Sequence, residues 1–232
     1  MKSVSILGST GSIGLSTLSV VDSLPDKFVV AGLAAGRDFE GLARQVARYR
    51  PRLVSIADER DIPALAKLIP RSVRELQSQY YSSTQMEAAI GSVFGVDRQL
   101  IRDGSYFVAE HDGEIVGCGG WSKRKKLFGS DAIAPNEHGL LDPKDDAARI
   151  RAFFIHPGWA RRGIGRAILG ACEKEIAAAD FHTAELVATL PGELFYAAFN
   201  YVAAERYEIP LADGSRLPVV RMSKQLYRTE QT

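Results

Sequence analysis

Residues 149–171, RIRAFFIHPGWARRGIGRAILGA, contain the features that decide how this chain folds: a strand, a tight turn rich in arginine and glycine, and a helix. Apolar residues occupy both alternating sets of positions from Ile150 to Ile155, which is typical of a central strand buried on both faces. Pro157 ends the strand because it lacks the N–H group that a sheet ladder needs. The following helix is predicted by apolar residues at helical spacing, namely Ile164, Ala167, Ile168, Ala171, Cys172 and Ile176.

The turn before this helix is chemically suited to an anion. The first turn of a helix has free backbone N–H groups and the positive end of the helix dipole. Gly163 and Gly165 have no Cβ, so a phosphate can approach the backbone closely. Arg161, Arg162 and Arg166 add a positive field. No Gly-Lys-Ser/Thr follows, so the turn is not a P-loop, and the alternative interpretation is an ordinary helix start with solvated arginines.

The same stretch resembles motif A of the GNAT superfamily of acyl-CoA N-acyltransferases. In that family Gln/Arg-x-x-Gly-x-Gly/Ala follows a strand that ends in apolar-x-Pro; residues 155–157 and 161–165 fit, whereas Ala160 replaces Gln or Arg. The resemblance implies an α/β fold, with a mostly antiparallel sheet, splayed central strands and flanking helices over residues 53–228. It also implies acetyl-CoA as cosubstrate, held through Phe153, Phe154, Ile155, Arg161, Arg162, Gly163, Ile164, Gly165 and Arg166.

A second element supports the same family. Residues 195–201, FYAAFNY, resemble its Phe-Tyr-x-x-x-Gly-Phe element, with Asn200 in place of Gly. By this resemblance a neutral amine attacks the thioester directly, and Tyr196 is the general acid that protonates the leaving thiolate. The alternative for Tyr196 is a core aromatic residue on an amphipathic helix. Three candidates stay open for the base: Glu110, Glu185 and a water relay.

The first fifty residues have a different pattern. A short apolar strand leads at once into glycines spaced GxxGxxG over residues 8–14 and then a helix to about Ser23. A strand at 28–34 and a helix at 39–49 complete the β-α-β-α opening of a Rossmann-like nucleotide-binding fold. Arg37, rather than an acidic residue, follows the second strand, which suits the 2′-phosphate of NADP.

Residues 1–22 and 31–45 resemble the N-terminus of the 1-deoxy-D-xylulose 5-phosphate reductoisomerase family. The family's metal-binding acidic residues, phosphate site and C-terminal domain have no counterpart downstream. We therefore do not expect reductoisomerase activity, and the alternative is a fused remnant that binds nothing. If the unit does bind NADPH, the resemblance implies contacts from Thr10, Gly11, Ser12, Ile13, Gly36 and Arg37.

The junction between the two units is predicted at Arg50-Pro51-Arg52. A strand at 53–57 could belong to either unit, and we assign it to the acyltransferase because that sheet needs its first strand. The remaining predicted elements are a helix from Ile62 with a kink or break at Pro70, a helix at 85–92, hairpins at 105–121 and 205–223, a strand at 184–189 and a helix at 191–199. The polar connection 127–148 is a candidate to cover the acceptor pocket.

Composition and charge argue against several other classes of protein. A net charge of +1 over 232 residues gives no reason to expect nucleic acid or a membrane as partner. Cys118 and Cys172 form no CxxC motif, and the four histidines show no ligand spacing, so we expect neither a disulfide nor a metal site. The apolar run at the start is too short for a signal peptide, and no run reaches the ~18 residues of a membrane span. A cytoplasmic protein is the expectation.

The favoured function is N-acetyltransferase activity, with transfer from acetyl-CoA to a small-molecule or peptide amine in a ternary complex. One alternative is an NADP- or partner-binding module with a degenerate acyltransferase domain, which Ala160 and Asn200 mildly favour. Another is a chance fusion with a free-standing acyltransferase downstream. The resemblance also leaves a homodimer open, since dimers are common among GNAT proteins.

Overall fold

The computed structural model describes residues 2–35, 38–49, 53–56, 58–111, 113–130 and 139–226. The strands within these ranges are β1 (Lys2–Leu7), β2 (Phe28–Ala35), β3 (Leu53–Ile56), β4 (Tyr106–His111), β5 (Glu114–Ser122), β6 (Ala148–Ile155), β7 (Thr183–Thr189), β8 (Val202–Pro210) and β9 (Arg216–Gln225). The helices are α1 (Ser12–Ser23), α2 (Phe39–Tyr49), α3 (Ile62–Leu76), α4 (Ser83–Ala89), α5 (Arg98–Arg102), α6 (Ile164–Ala178) and α7 (Leu190–Ala197). None of these helices is long and apolar enough to cross a membrane.

The described strands join one sheet in the order β1-β2-β3-β4-β5-β6-β7-β9-β8. From β4 to β9 the pairing is antiparallel except between β6 and β7, which run parallel. The β6–β7 ladder joins residues 148–150 to residues 184–186 and then stops, whereas β6 stays paired with β5 as far as Ile155. The two central strands therefore diverge, and the predicted mixed sheet with splayed centre is observed.

Strand β6 contains a bulge at this point of divergence. Ala152 has a φ of 57°, a left-handed conformation that costs a non-glycine residue roughly 1 kcal/mol, and the register with β5 shifts opposite it. Its carbonyl accepts hydrogen bonds from the Tyr106 hydroxyl at 3.3 Å and the Cys118 thiol at 3.7 Å. Ile150 and Phe153 consequently pack into the same core although they are three positions apart, instead of the two that a regular strand requires.

Two hydrophobic cores cover the two sides of the sheet. On one side, here called the α6 face, Ile168 and Cys172 of α6 and Tyr196 of α7 pack against the strands. On the other side, the α3 face, Leu65 of α3 and Leu100 of α5 do the same. The gap between β6 and β7 is therefore approached by helices from both faces.

The N-terminal strands continue the sheet beyond β4. Strands β1, β2 and β3 are parallel to one another, and β3 also pairs antiparallel with β4 at Val54 and Val108. Leu18, Leu33 and Leu42 lie in a small core of their own. The strand that could belong to either unit is thus hydrogen-bonded to both, and the boundary at residue 52 stays a prediction.

The helices before β4 differ from the sequence analysis in two places. Helix α3 passes through Pro70 without a break and ends at Leu76, so residues 77–80 form a turn. Its buried face, which includes Leu68, Ile69 and Val73, provides packing that offsets the hydrogen bond that Pro70 cannot make. The five-residue helix α5 was not predicted, although Asp97 marks its start by accepting a hydrogen bond from the Leu100 N–H at 3.2 Å.

Asp61, just before α3, gives the fold a testable pH dependence. Its Oδ2 atom is buried without a hydrogen-bond partner among the described residues. Burial, reinforced by the carboxylates of Asp58 and Glu110, raises the pKa of Asp61 from 3.8 to about 6. Folding therefore favours the protonated carboxyl, whose contribution to stability is present below the unfolded value and is lost as the pH rises through the folded value.

We accordingly expect Asp61→Asn to raise the urea midpoint of unfolding at about pH 7 and to bring a smaller gain at about pH 4.5. The measurement is urea unfolding followed by circular dichroism at both pH values. An Asn variant that is less stable than the parent at both values would contradict this account of Asp61.

Candidate active site

A cavity of about 800 Å³ lies where β6 and β7 diverge. From the α6 face it is lined by the arginine-rich turn, the first turn of α6 and one side of α7. From the α3 face it is lined by the end of α3, residues 93–95 and residues 127–129. The cavity therefore passes through the plane of the sheet and is open to two different sets of helices.

The turn at residues 160–163 leads into a helix whose N-terminus has no side-chain cap. Arg161 and Gly163 have φ values of 62° and 86°, so two left-handed residues bracket Arg162. Helix α6 begins at Ile164, and Gly163 gives it no side-chain cap. Its first N–H groups thus remain available to a ligand, as in anion-binding nests and helix N-termini.

Two of the three arginines of this turn lie over aromatic rings. The Arg162 guanidinium lies 4.8 Å from the ring centroid of Trp159, and the Arg166 guanidinium lies 5.5 Å from that of Phe199. In the part of the chain that the structure describes, none of the three forms an ion pair with a carboxylate. This end of the cavity is therefore positively charged and suited to a phosphate group.

Tyr196 is one of the residues that line the cavity. Its side chain is 8% exposed and makes edge contacts with the rings of Phe153 at 6.1 Å and Phe195 at 5.0 Å between centroids. Burial raises the pKa of its phenol further above the usual value of 10.0. The hydroxyl therefore carries its proton throughout the neutral range, as a general acid must.

The structure brings together nearly all of the residues that the GNAT resemblance assigned to acetyl-CoA. Tyr196 and eight of those nine residues line the cavity, and the exception is Arg162, which stacks on Trp159. The two carboxylates considered as bases lie elsewhere. Glu185 pairs with Arg149 and, at 3.3 Å, with Arg221. Glu110 does not line the cavity; it lies close enough to Asp61 to raise the pKa of the Asp61 carboxyl.

The residues assigned to NADPH lie apart from this cavity. Thr10 and Gly11 fall in the turn after β1, and Ser12 and Ile13 begin α1, with Ile13 exposed. Gly36 and Arg37 lie outside the described residues. A smaller cavity of about 250 Å³ between the N-terminal strands and α6 contains none of the four described residues.

Three residues of the cavity were missed from the sequence. Ser72 of α3 accepts a hydrogen bond at Oγ from the Ile155 N–H at 3.2 Å, which fixes the end of β6. Gln77 lines the wall from the end of α3. Arg151 also lines it, with its guanidinium 3.0 Å from the Asp97 carboxylate. One signal in the sequence pointed to Arg151, namely that it is a charged residue within an apolar strand.

Among the described residues no His, Cys, Asp or Glu cluster is placed to hold a metal ion.

Comparison with known families finds two matches. The model for 1-deoxy-D-xylulose 5-phosphate reductoisomerase matches residues 4–93, further than the first fifty residues that carried the resemblance. The chain is 52% identical over 69 residues to the reductoisomerase of Trichlorobacter lovleyi and 61% over 59 residues to that of Chlorobaculum tepidum. Those alignments cover 30% and 25% of this chain and only 18% and 15% of the two enzymes, so the chain spans a small part of the curated relatives it matches.

The second match covers the cavity. A GCN5-related N-acetyltransferase from Rhodopseudomonas palustris superposes with a TM-score of 0.54 at 22% identity, over 73% of this chain and 92% of that one. This similarity shows the fold and confirms the predicted GNAT architecture. The acetyltransferase (GNAT) family model matches residues 71–201, more than half of the chain. The chain therefore belongs to the acetyltransferase (GNAT) family.

Proposed function

We propose that this protein transfers an acetyl group from acetyl-CoA to an amine. The observation that carries the proposal is the cavity through the sheet, with an uncapped, arginine-rich helix start at one end and Tyr196 in its wall. A ligand with an anionic end and a long linear arm matches a positive turn that leads into a gap between strands. Coenzyme A thioesters have both parts.

The described residues fit coenzyme A at each part. The N–H groups at the start of α6, with Arg161 and Arg166, would receive the pyrophosphate. Beyond Ile150, strand β6 has no ladder partner on its β7 side, so the amides of the pantetheine arm can hydrogen-bond there like an added strand. The thioester would then lie beside Tyr196, within the plane of the sheet.

The chemistry follows from this placement. The lone pair of a neutral amine attacks the thioester carbonyl carbon, a C–N bond forms and the C–S bond breaks. Tyr196 gives its proton to the departing thiolate and regains one from solvent, while the amine nitrogen loses a proton to water. No described carboxylate lines the cavity to take that proton, which leaves the water relay as the route that we propose.

Calorimetric titration with acetyl-CoA tests the proposed site. Gly163→Ala is expected to weaken binding about tenfold, because a Cβ at a φ of 86° forces the turn to shift and misaligns its N–H groups. Gly170→Ala is the matched control, since Gly170 lies within α6, the helix that Gly163 precedes, with open space around its Cβ position. Equal affinity of the parent and a folded Gly163→Ala variant, or no binding by the parent, would contradict the proposal.

A second candidate function is nucleotide binding by the N-terminal unit. The reductoisomerase match over residues 4–93 favours it, as does the close packing of Gly14, where a Cβ would collide with the Gly8 carbonyl oxygen. Titration of the full chain with NADPH decides it. Binding that Gly14→Ala abolishes would support this candidate, and no heat of binding would exclude it at the concentrations used.

A further inference from the structure

The side chains at the α3-face end of the cavity indicate which kind of amine the site accepts. Six side chains form this end, here called the apolar chamber: Leu76, Gln77, Val93, Phe94, Leu127 and Phe128. Five of them are hydrocarbon, and two are aromatic. Phe94 also packs edge-on against Phe154 of β6, with 6.2 Å between ring centroids. The chamber thus offers an acceptor extensive apolar contact.

The chamber wall is held in place by hydrogen bonds. The Ser130 N–H donates to the Ser92 carbonyl and the Ser130 hydroxyl to the Gly91 carbonyl, both at 2.8 Å, which joins the segment after Phe128 to the segment before Val93. The Arg151 guanidinium also donates to the Lys126 carbonyl at 3.1 Å. The chamber is therefore formed before a ligand arrives, and its chemistry is a property of the free protein.

The charge of its described residues is unfavourable for polycations. No Asp or Glu is among the described residues that line the cavity. The Asp97 carboxylate, beside the lining residue Arg151, is 1% exposed and lies 3.0 Å from the Arg151 guanidinium, so its charge is already compensated. An ammonium group that entered would lose its water without meeting a carboxylate among the described lining residues, which is strongly unfavourable. The same environment lowers the pKa of an entering amine and favours the neutral nucleophile that the reaction needs.

Among the six side chains of the chamber, Gln77 is the polar one. Gln77 is 7% exposed, and its Oε1 atom has no hydrogen-bond partner among the described residues. A buried amide left in this state costs free energy that a ligand with a matching donor or acceptor would recover. Pockets that are mostly apolar with a single polar group bind apolar ligands and orient them through that group.

We propose, on the basis of the function proposed above, that the acceptor is a monoamine with an aryl or branched-alkyl body and one uncharged hydrogen-bonding group directed at Gln77. Polyamines and other polycationic amines are excluded by the same reasoning. The apolar chamber thus indicates the class of amine acceptor. The arginine-rich turn at the opposite end of the cavity indicates the acyl donor.

Steady-state acetylation of three amines tests this inference, with release of coenzyme A followed by a thiol reagent; both cysteines of the chain are buried. We expect kcat/KM for 2-phenylethylamine to exceed that for spermidine by about 100-fold or more. Phenylalaninamide, which adds one amide group, is expected to exceed 2-phenylethylamine, and Gln77→Leu is expected to remove that advantage.

Leu127→Glu places a carboxylate in the chamber and is expected to reduce the preference for 2-phenylethylamine over spermidine about tenfold. Leu140→Glu is its control, because it makes the same change at an exposed site in the same connection, outside the cavity. Failure of the parent to bind acetyl-CoA would overturn the proposed function itself. Acetyl-CoA binding with a preference for spermidine, or an unchanged ratio in a Leu127→Glu variant that binds acetyl-CoA normally, would overturn this inference alone.

Discussion

Tyr196→Phe is expected to lower kcat by about 100-fold or more while the affinity for acetyl-CoA changes little. The phenol lines the cavity, burial keeps it protonated, and phenylalanine retains the edge contacts with Phe153 and Phe195. Only the proton for the departing thiolate is lost. The measurement is kcat with a saturating amine, together with calorimetric titration of acetyl-CoA.

Tyr201→Phe is the matched control for that experiment. Tyr201 is buried beside Tyr196, with 5.7 Å between ring centroids, yet it does not line the cavity. Its hydroxyl has no place in the proposed reaction, so kcat is expected to stay within about twofold of the parent. A Tyr196→Phe variant as active as the Tyr201→Phe variant would show that another group protonates the thiolate.

The largest expected effect on stability comes from Asp97→Asn. The carboxylate of Asp97 is 3.0 Å from the Arg151 guanidinium, and both side chains are almost completely buried. Asparagine keeps the cap on α5 but leaves the guanidinium without its countercharge. The free energy of unfolding is expected to fall by about 3–5 kcal/mol, as for other buried pairs that lose one partner.

Urea unfolding measures this loss, and Glu75→Gln is the control. Glu75 pairs with Arg71 at 3.0 Å one helical turn away, with both side chains about half exposed, so its removal is expected to cost less than about 0.5 kcal/mol. Similar losses in the two variants would mean that water reaches the Arg151–Asp97 pair and screens it.

The motif A region could be predicted from sequence because its signals are local. Strand, turn, glycines and helix follow one another within 149–171, and the cavity residues drawn from this stretch meet because neighbours in sequence are neighbours in space. The apolar chamber could not be predicted in this way. Leu76, Val93 and Leu127 come from three separate segments, and only the tertiary fold brings them together.

Other features lacked a sequence signal altogether. Ala152 has no property that marks it as left-handed, and the bulge depends on Tyr106 and Cys118 from other strands. Glu185 has the right chemistry for a base, but its neighbours across the sheet engage it in ion pairs. Such outcomes are decided by strand register and by which face a side chain occupies, neither of which a single sequence fixes.

The position of β3 has a consequence for solubility. In the full chain, β2 pairs with β3 on the side away from β4, so the acetyltransferase part presents no free strand there. Removing residues 1–52 would leave the N–H and C=O groups of that side of β3 unpaired, a template on which further copies can add by strand pairing. Among the described strands, the full chain has a free edge of its own at β1, so the shortened chain exchanges a six-residue edge strand for a four-residue one. The N-terminal segment thus decides which strand is open to pairing with other copies, whether or not it binds a nucleotide.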